Sequence, residues 1–473
     1  MSKKHRSKPD WVFVILMFIA AGIVVAAGVL LLDNKRTLDN TAVPSTYAET
    51  TISNGESYPT DALRIGDKYY STADVSYYAY STYLQYYVYC ESTYGDGSYV
   101  NAFLDAETLL DLAISTLARK YALYTDLTEK GFAYNISDIT GKIEETREEA
   151  VSIGKTYEQH LKDRYGRDMT VECFEKNMMV DGAASEYASF LLERQSCSEE
   201  ELEAYYAEHK KDFSFVDYEQ LFFYVSSAYP DEKAELDAES AYQELNQGKS
   251  FSALSEELPQ ASYSLNTNVQ YNASAIFDWL FDGSRMEGDT ALIRASGTAY
   301  YVLRFDRLYR EEYNTVRFRH ILFAFGDGVS TENSALSEAE KDQMKSNTEE
   351  KARLYASAWL NGEQTEASFS QLAADVAGSD ARGDLYTEVY RGRMIEPIDD
   401  WLFAAGRKEN ELGIVESDHG YHLLLFGGED RPYWQVRVDA AIRQERYSSY
   451  LSGLLTEEVE RLNGILSVKK YIE

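Results

Sequence analysis

Histidine and cysteine are the scarce reactive side chains of this chain, with six of the first and three of the second, and their spacing limits the chemistry open to it. There is no HExxH and no His/Asp or paired-Cys cluster at metal-ligand spacing, so neither a metal nor a cofactor is expected. Cys90, Cys173 and Cys197 are odd in number and far apart, which reads as buried structural thiols and leaves open one disulfide, Cys173 with Cys197, outside a membrane. His320 in RHIL and His422 in GYHLLLF sit inside apolar, strand-like runs, and taken alone are two satisfied histidines in a sheet. His160, His209 and His419 have no such setting and read as surface residues.

The elements that must carry these histidines show themselves through a repeat. VDYEQLFFYV at 216–225 and VRFRHILFAF at 316–325 share one pattern, FSALSEE at 251–257 matches FSQLAAD at 369–375, and DWLF occurs at 278–281 and again at 400–403. The closing strand YYVLRF at 300–305 matches YHLLLF at 421–426. Matches in one order, at offsets of 100 to 122 positions, mark a duplicated domain. Each copy reads strand, helix, irregular middle, short helix and closing strand, a compact α+β unit.

The second copy resembles the parvulin family of peptidyl-prolyl isomerases. The resemblance rests on RHIL at 319–322, RGDL at 382–385, GRM at 392–394 and GYHLLLF at 420–426, and covers nearly all of residues 313–429. It implies catalysed rotation about X-Pro bonds, whose uncatalysed isomerisation takes tens to hundreds of seconds. On that resemblance His320 and His422 are the paired histidines of adjacent central strands, and Leu385, Met394 and Phe403 line or support a proline pocket. Counting back from RGDL, the family's Cys or Asp position falls on Val376, and a one-residue shift brings Asp375 there as the carboxylate. Ile398 stands where the family usually places a pocket Phe. In the first copy Gln220 and Tyr301 replace the two histidines, so that copy reads as inactive, a spacer or a client-binding module.

Ahead of these domains, Lys3, Lys4, Arg6 and Lys8 precede an uncharged run from Trp11 to Leu32. A span of roughly 20 apolar residues behind positive charge reads as an uncleaved transmembrane anchor with its N-terminus in the cytoplasm. Residues 33–62, rich in Thr, Ser, Asn and Asp, read as a flexible tether. Leu63 to Tyr70 reads as a short strand or hairpin arm, and Ser71 with Asp74 as a helix start. Tyr77, Tyr80, Tyr83 and Tyr87 then recur at helical spacing, and a second helix over 105–126 places Leu110, Ala113, Leu117, Tyr121 and Tyr124 on one face. Among 39 Tyr such faces serve a core, or grip unfolded chains. An amphipathic helix from Trp434 to Leu462 needs a partner surface, most simply the helical domain.

The expected architecture is therefore α+β and multidomain. It comprises a cytoplasmic N-terminus (1–10), a transmembrane helix (11–32), a linker (33–62) and a mainly helical domain (63–212). A degenerate parvulin-like domain (213–312), a parvulin-type isomerase domain (313–429) and a C-terminal helix (430–473) on the helical domain follow. This layout resembles the SurA and PrsA extracytoplasmic foldases, which implies unfolded exported proteins with X-Pro bonds as partners, and the outer face of a bacterial plasma membrane as location. A homodimer through the helical domain is left open. With 79 acidic against 46 basic residues, the net charge of -33 would repel phosphate backbones, so nucleic acid is not an expected partner.

Overall fold

The computed structural model describes residues 60–295, 297–325, 337–376 and 384–472. The apolar segment 11–32 and residues 33–59 of the tether lie outside these residues. Among the described residues no helix is long and apolar enough to cross a membrane. The chain divides into two units, residues 1–196 with 443–473, and residues 197–442.

The first unit is mainly helical. A hairpin, β1 (Asp61–Ile65) and β2 (Lys68–Ser71), opens it, so the last residues assigned to the tether already belong to a strand. Ser71 and Asp74 form a reciprocal capping box at the start of α1 (Thr72–Tyr94), satisfying donors that a helix N-terminus leaves free. After a short α2 (Val100–Phe103), the long α3 (Ala106–Glu129) begins at Asp105, whose carboxylate accepts from the Thr108 N–H. Next come α4 (Ile136–Ser152), α5 (Tyr157–Tyr165) and α6 (Val171–Glu193). Tyr77, Tyr78, Leu110, Leu117, Tyr121, Phe174, Val180 and Tyr187 make the core. The Tyr stripe of α1 is not one buried face. Tyr77 is buried, whereas Leu84, Tyr87, Val88 and Tyr94 are exposed, because the core ends halfway along the helix.

Inside this unit Lys176 lies 2.5 Å from Asp74, both nearly inaccessible. Burial works to raise the Asp74 carboxyl, but Lys176, Asn177 and Ser71 outweigh it and hold the carboxyl below its ordinary value. None of the three cysteines is in a disulfide; the Cys173 thiol faces the Asp74 carboxylate at 3.4 Å, so the Cys173–Cys197 pairing is not formed. His160, read as a surface residue, is buried beside Glu149. The chain's C-terminal elements return here: Leu451, Ile465 and Val468 join the core, and Tyr450 hydrogen-bonds Asp126, which also accepts from the Tyr187 hydroxyl. The final amphipathic stretch is a shorter helix than its spacing predicts, ending at Leu454, after which β11 (Val459–Arg461) pairs with β1. A last helix covers Ile465–Ile472.

The second unit opens with α7 (Glu199–Glu208) and α8 (Lys210–Phe213), whose Leu202 and Phe213 pack with Trp434, Val438 and Ile442 from the helix Tyr433–Leu454. Two four-stranded antiparallel sheets follow. The first is built from β3 (Phe215–Tyr224), α9 (Asp231–Asn246), α10 (Phe251–Glu257), β4 (Ala261–Gln270), α11 (Ala275–Leu280), β5 (Thr290–Ala295) and β6 (Ala299–Tyr309), in strand order β4-β3-β6-β5. The second is built from β7 (Asn314–Ala324), α12 (Glu338–Leu360), α13 (Glu366–Asp375), β8 (Asp384–Val389), α14 (Glu396–Leu402), β9 (Leu412–Ser417) and β10 (Gly420–Pro432), in order β8-β7-β10-β9. Topology is thus identical in the two copies.

Strand alternation sorts the second sheet into two layers. Ile321, Phe323, Leu423 and Leu425 face α12 and α13, where Ala352, Ala356, Trp359 and Phe369 complete one core. Val316, Phe318, Leu424 and Phe426 face α14, with Ile398 and Leu402. The long strand β10 is seated closely at its start. Gly420 has φ +149°, and a Cβ there would lie 2.1 Å from the Phe323 carbonyl oxygen, so only glycine fits.

Candidate active site

The register of the two central strands decides which side chains meet. His320 lies opposite Leu424 and His422 opposite Leu322, so both histidines lie on the α14 face, one diagonal step apart. Their rings stack at 4.9 Å with 22° between planes, and His320 Nε2 is 2.7 Å from His422 Nδ1. On the other side His422 Nε2 is 2.7 Å from Ser417 Oγ, which accepts the His419 N–H at 3.1 Å. A chain Ser417–His422–His320 results. It closes with either sense of donation provided both rings are neutral, since each link needs one donor and one acceptor.

Burial enforces that neutrality. His422 is 4% exposed and its pKa is pushed down to about 4 by burial, with His419 adding a smaller push. His320, less completely covered by area, is pushed down to about 3, again mainly by burial and then by His422. Around the pair Phe318 and Tyr386 stack at 5.0 Å, and Met394, Trp401 and Phe403 border the apolar cluster of Ile398, Leu402, Val415 and Leu424. The turn carrying Met394 is tied to α14 by the Gly392 N–H donating to Asp399 Oδ1 at 2.9 Å.

Not every residue read from the sequence falls here. Met394 and Phe403 do, both partly exposed at the edge of the cluster. Ile398 is 2% exposed and forms the floor of that cluster rather than a free wall. Leu385 does not, because it pairs with Arg319, whose guanidinium reaches Glu366 on the opposite face. Tyr386 is the β8 residue on the histidine face, so the assignment of Leu385 to the pocket is corrected. Val376 is buried among Phe369, Ala373 and Trp359 in the helix-side core and brings no polar group. Asp375 closes α13, and its side chain lies outside the described residues, as do Arg382 and Gly383 of RGDL. Ser417 and Tyr386 were missed by sequence reasoning. Ser417 had one available signal, a hydroxyl closing a strand directly before the turn that leads into the His422 strand.

The first sheet holds the same positions with other residues. Gln220 lies opposite Leu303 and Tyr301 opposite Phe222, the registers of His320 and His422. Ala295, paired with Ala299, occupies the place of Ser417, paired with Gly420. None of the three members of the hydrogen-bonded chain is present.

With this geometry in view, comparison with known families is decisive for one part of the chain: residues 301–426 match the PPIC-type PPIASE domain. They form a parvulin-type peptidyl-prolyl cis-trans isomerase domain within the chain. The match begins in β6, twelve residues before the boundary drawn from the sequence. Comparison with curated proteins gives no match. Among solved structures, PrsA from Bacillus subtilis is similar at 12% identity over 82% of this chain and 88% of its own, with a TM-score of 0.20. Foldase protein PrsA from Streptococcus pneumoniae is similar at 12% identity over 42% and 68%, TM-score 0.18. A SurA-like chaperone of Campylobacter jejuni is similar at 11% over 53% and 82%, TM-score 0.17.

Proposed function

We propose that this isomerase is an extracytoplasmic foldase, held at a bacterial plasma membrane by residues 11–32 and acting on exported, incompletely folded proteins through their X-Pro bonds. The observation that carries the catalytic part is the neutral His320–His422 pair on an apolar sheet face of a parvulin-type domain. An amide twisted out of plane loses its resonance and becomes less polar. An apolar surface therefore favours the twisted form over the planar one, which is catalysis by differential binding. Met394 and Phe403 offer the proline ring such a surface, with Ile398 beneath them. The two histidines and Ser417 form a fixed polar strip beside it, while Asp375 remains the candidate carboxylate. The positive charge before Trp11 and the apolar run after it support the anchored orientation, and the polar residues before Asp61 supply reach.

A second reading has an observation of its own. Val376 is sealed in the helix-side core and Leu385 faces away from the histidines, which favours a parvulin fold kept for holding clients without isomerising them. The cis-to-trans rate of a short proline peptide, measured with the full chain and with His422→Ala, separates the two. Acceleration that falls roughly tenfold or more in the variant, about 1.4 kcal/mol of barrier, supports the enzyme. No acceleration by the wild-type chain refutes it and leaves the holdase.

A further inference from the structure

The pairing of β7 with β8 is out of step at one point. Val316 lies opposite Val389 and Phe318 opposite Tyr386, so a two-residue step of β7 meets a three-residue step of β8 and the extra residue forms a bulge. Glu388, inside the bulge, has φ +50°, a left-handed conformation that a residue with a long side chain seldom adopts. We propose that Arg393 is a positioning residue for isomerisation: by gripping this bulge it fixes the Met394 turn against the strands of His320 and His422. The inference rests on the reading of Met394 as part of the surface that receives the proline.

The bulge is a built feature of the fold, because the first sheet has it too. There Val216 lies opposite Val269 and Tyr218 opposite Asn266, and Asn268, at φ +56°, stands where Glu388 stands. In each sheet a carboxylate accepts the N–H of the left-handed residue, Asp217 Oδ1 from Asn268 at 2.7 Å and Asp430 Oδ2 from Glu388 at 2.9 Å.

In the second sheet the bulge is tied on two sides. On one side Asp430 and Arg431 belong to β10, the strand of His422; Arg431 Nε donates to Glu388 Oε1 at 2.6 Å, and Arg317 of β7 donates to Asp430 Oδ1 at 3.0 Å. On the other side Arg393 Nη1 donates to the Thr387 and Glu388 carbonyls at 3.1 and 3.3 Å. Arg393 directly precedes Met394, so one guanidinium joins the turn, through the bulge, to both central strands. The first copy has another arrangement. By the offset of the two DWLF motifs Tyr271 holds the place of Arg393, and its hydroxyl donates to Asp278 in α11. That is the copy in which Gln220 and Tyr301 hold the histidine registers, so the grip on the bulge and the histidine pair occur together.

A surface that favours a twisted amide works only if it is presented in place, and a misplacement of about 1 Å can cost roughly a hundredfold in rate. The turn has other ties, the Arg391 N–H to the Tyr313 hydroxyl at 3.2 Å and the Gly392 N–H to Asp399 at 2.9 Å. Loss of the Arg393 grip therefore loosens Met394 without releasing the turn.

The test compares wild type with Arg393→Met, which keeps the stem and removes the donors, and with Arg393→Lys. A single nitrogen reaches both carbonyls, so a lysine ammonium can replace it. Two readings are taken on the full chain: kcat and KM for a short proline peptide, and the mobility of the Met394 methyl group by NMR of labelled methionine methyls, assigned with Met394→Leu. Arg393→Met should lower kcat roughly tenfold with KM within about twofold, as expected for an interaction realised in the transition state. Its Met394 methyl should become more mobile while amide protection in β7 and β10 is unchanged, and Arg393→Lys should recover most of both losses. A Met394 methyl as rigid in Arg393→Met as in the wild type overturns the proposal. So does an unchanged kcat, a rise in KM alone, or a loss of rate accompanied by loss of protection in β10. Absence of isomerisation by the wild type would remove the enzyme assignment by itself, and would overturn a role for Arg393 in that reaction with it.

Discussion

The neutral histidine pair makes the second sheet sensitive to acid in a way that can be worked out and isolated. Burial lowers the pKa of His422 to about 4 and of His320 to about 3, against about 6.5 in an unfolded chain. A base whose pKa falls on folding gives up its proton as the chain folds. Between the two values the unfolded chain holds more protons, so stability is complete above pH 6.5 and is lost as pH falls towards 4. At pH 5.5 the penalty is about 1.4 kcal/mol for each histidine, or about 2.8 for both, and it does not depend on the folded value once that value lies below about 5. The matched control is His320→Gln with His422→Tyr, since the first sheet carries Gln220 and Tyr301 at the same registers without disrupting its pairing. Opening of β7 and β10 is followed by amide hydrogen exchange at pH 7.5 and 5.5, corrected for intrinsic rates, because one global unfolding energy is ill-defined for a multidomain chain. The wild type should lose roughly a hundredfold in protection and the double variant should lose far less. Parallel losses in the two proteins would refute the claim that these rings are held neutral by the fold.

Three further substitutions probe other parts of the argument. Ser417→Ala leaves His422 Nε2 without its partner; the sheet should lose about 1–3 kcal/mol in the same exchange experiment, and the isomerisation rate should fall with it. Lys176→Met strands the buried Asp74 carboxylate and should cost the helical unit about 3–5 kcal/mol in thermal melts. Because the Asp74 pKa is lowered in the fold, the pair's contribution is present above the ordinary carboxylate value near 4 and is lost as pH falls below it, so wild type and variant should converge in strong acid. Gly420→Ala drives a Cβ into the Phe323 carbonyl and should destabilise β10 by about 3 kcal/mol or more, read as loss of exchange protection in that strand.

What was legible in the sequence follows from which physical rule wrote it. The duplication was legible because both copies bury the same faces, so matching apolar positions recur in order, and the pairing of Gln220 with His320 and of Tyr301 with His422 could be drawn before any register was known. Leu385 was illegible for the complementary reason. Strand side chains alternate with period two, and a one-residue offset sends a residue to the other face. Only the irregularity in β7–β8 pairing between Val316 and Phe318 sets that offset. Ser417 left little trace, since a hydroxyl before a turn has many uses and its contact with His422 depends on the β9–β10 pairing. The Tyr stripe of α1 shows the same limit in a helix, where spacing names a face but not how far along the partner core extends. The first sheet now carries the strongest inference about the second. Its copy of the fold persists with Gln220, Tyr301 and Ala295, so topology alone does not require the hydrogen-bonded triad. His422 is buried and His320 and Ser417 partly so, the three are linked, the two rings are costly in acid, and Met394 stands beside them. Their retention in one copy and loss from the other is what selection on chemistry, rather than on folding, would leave behind.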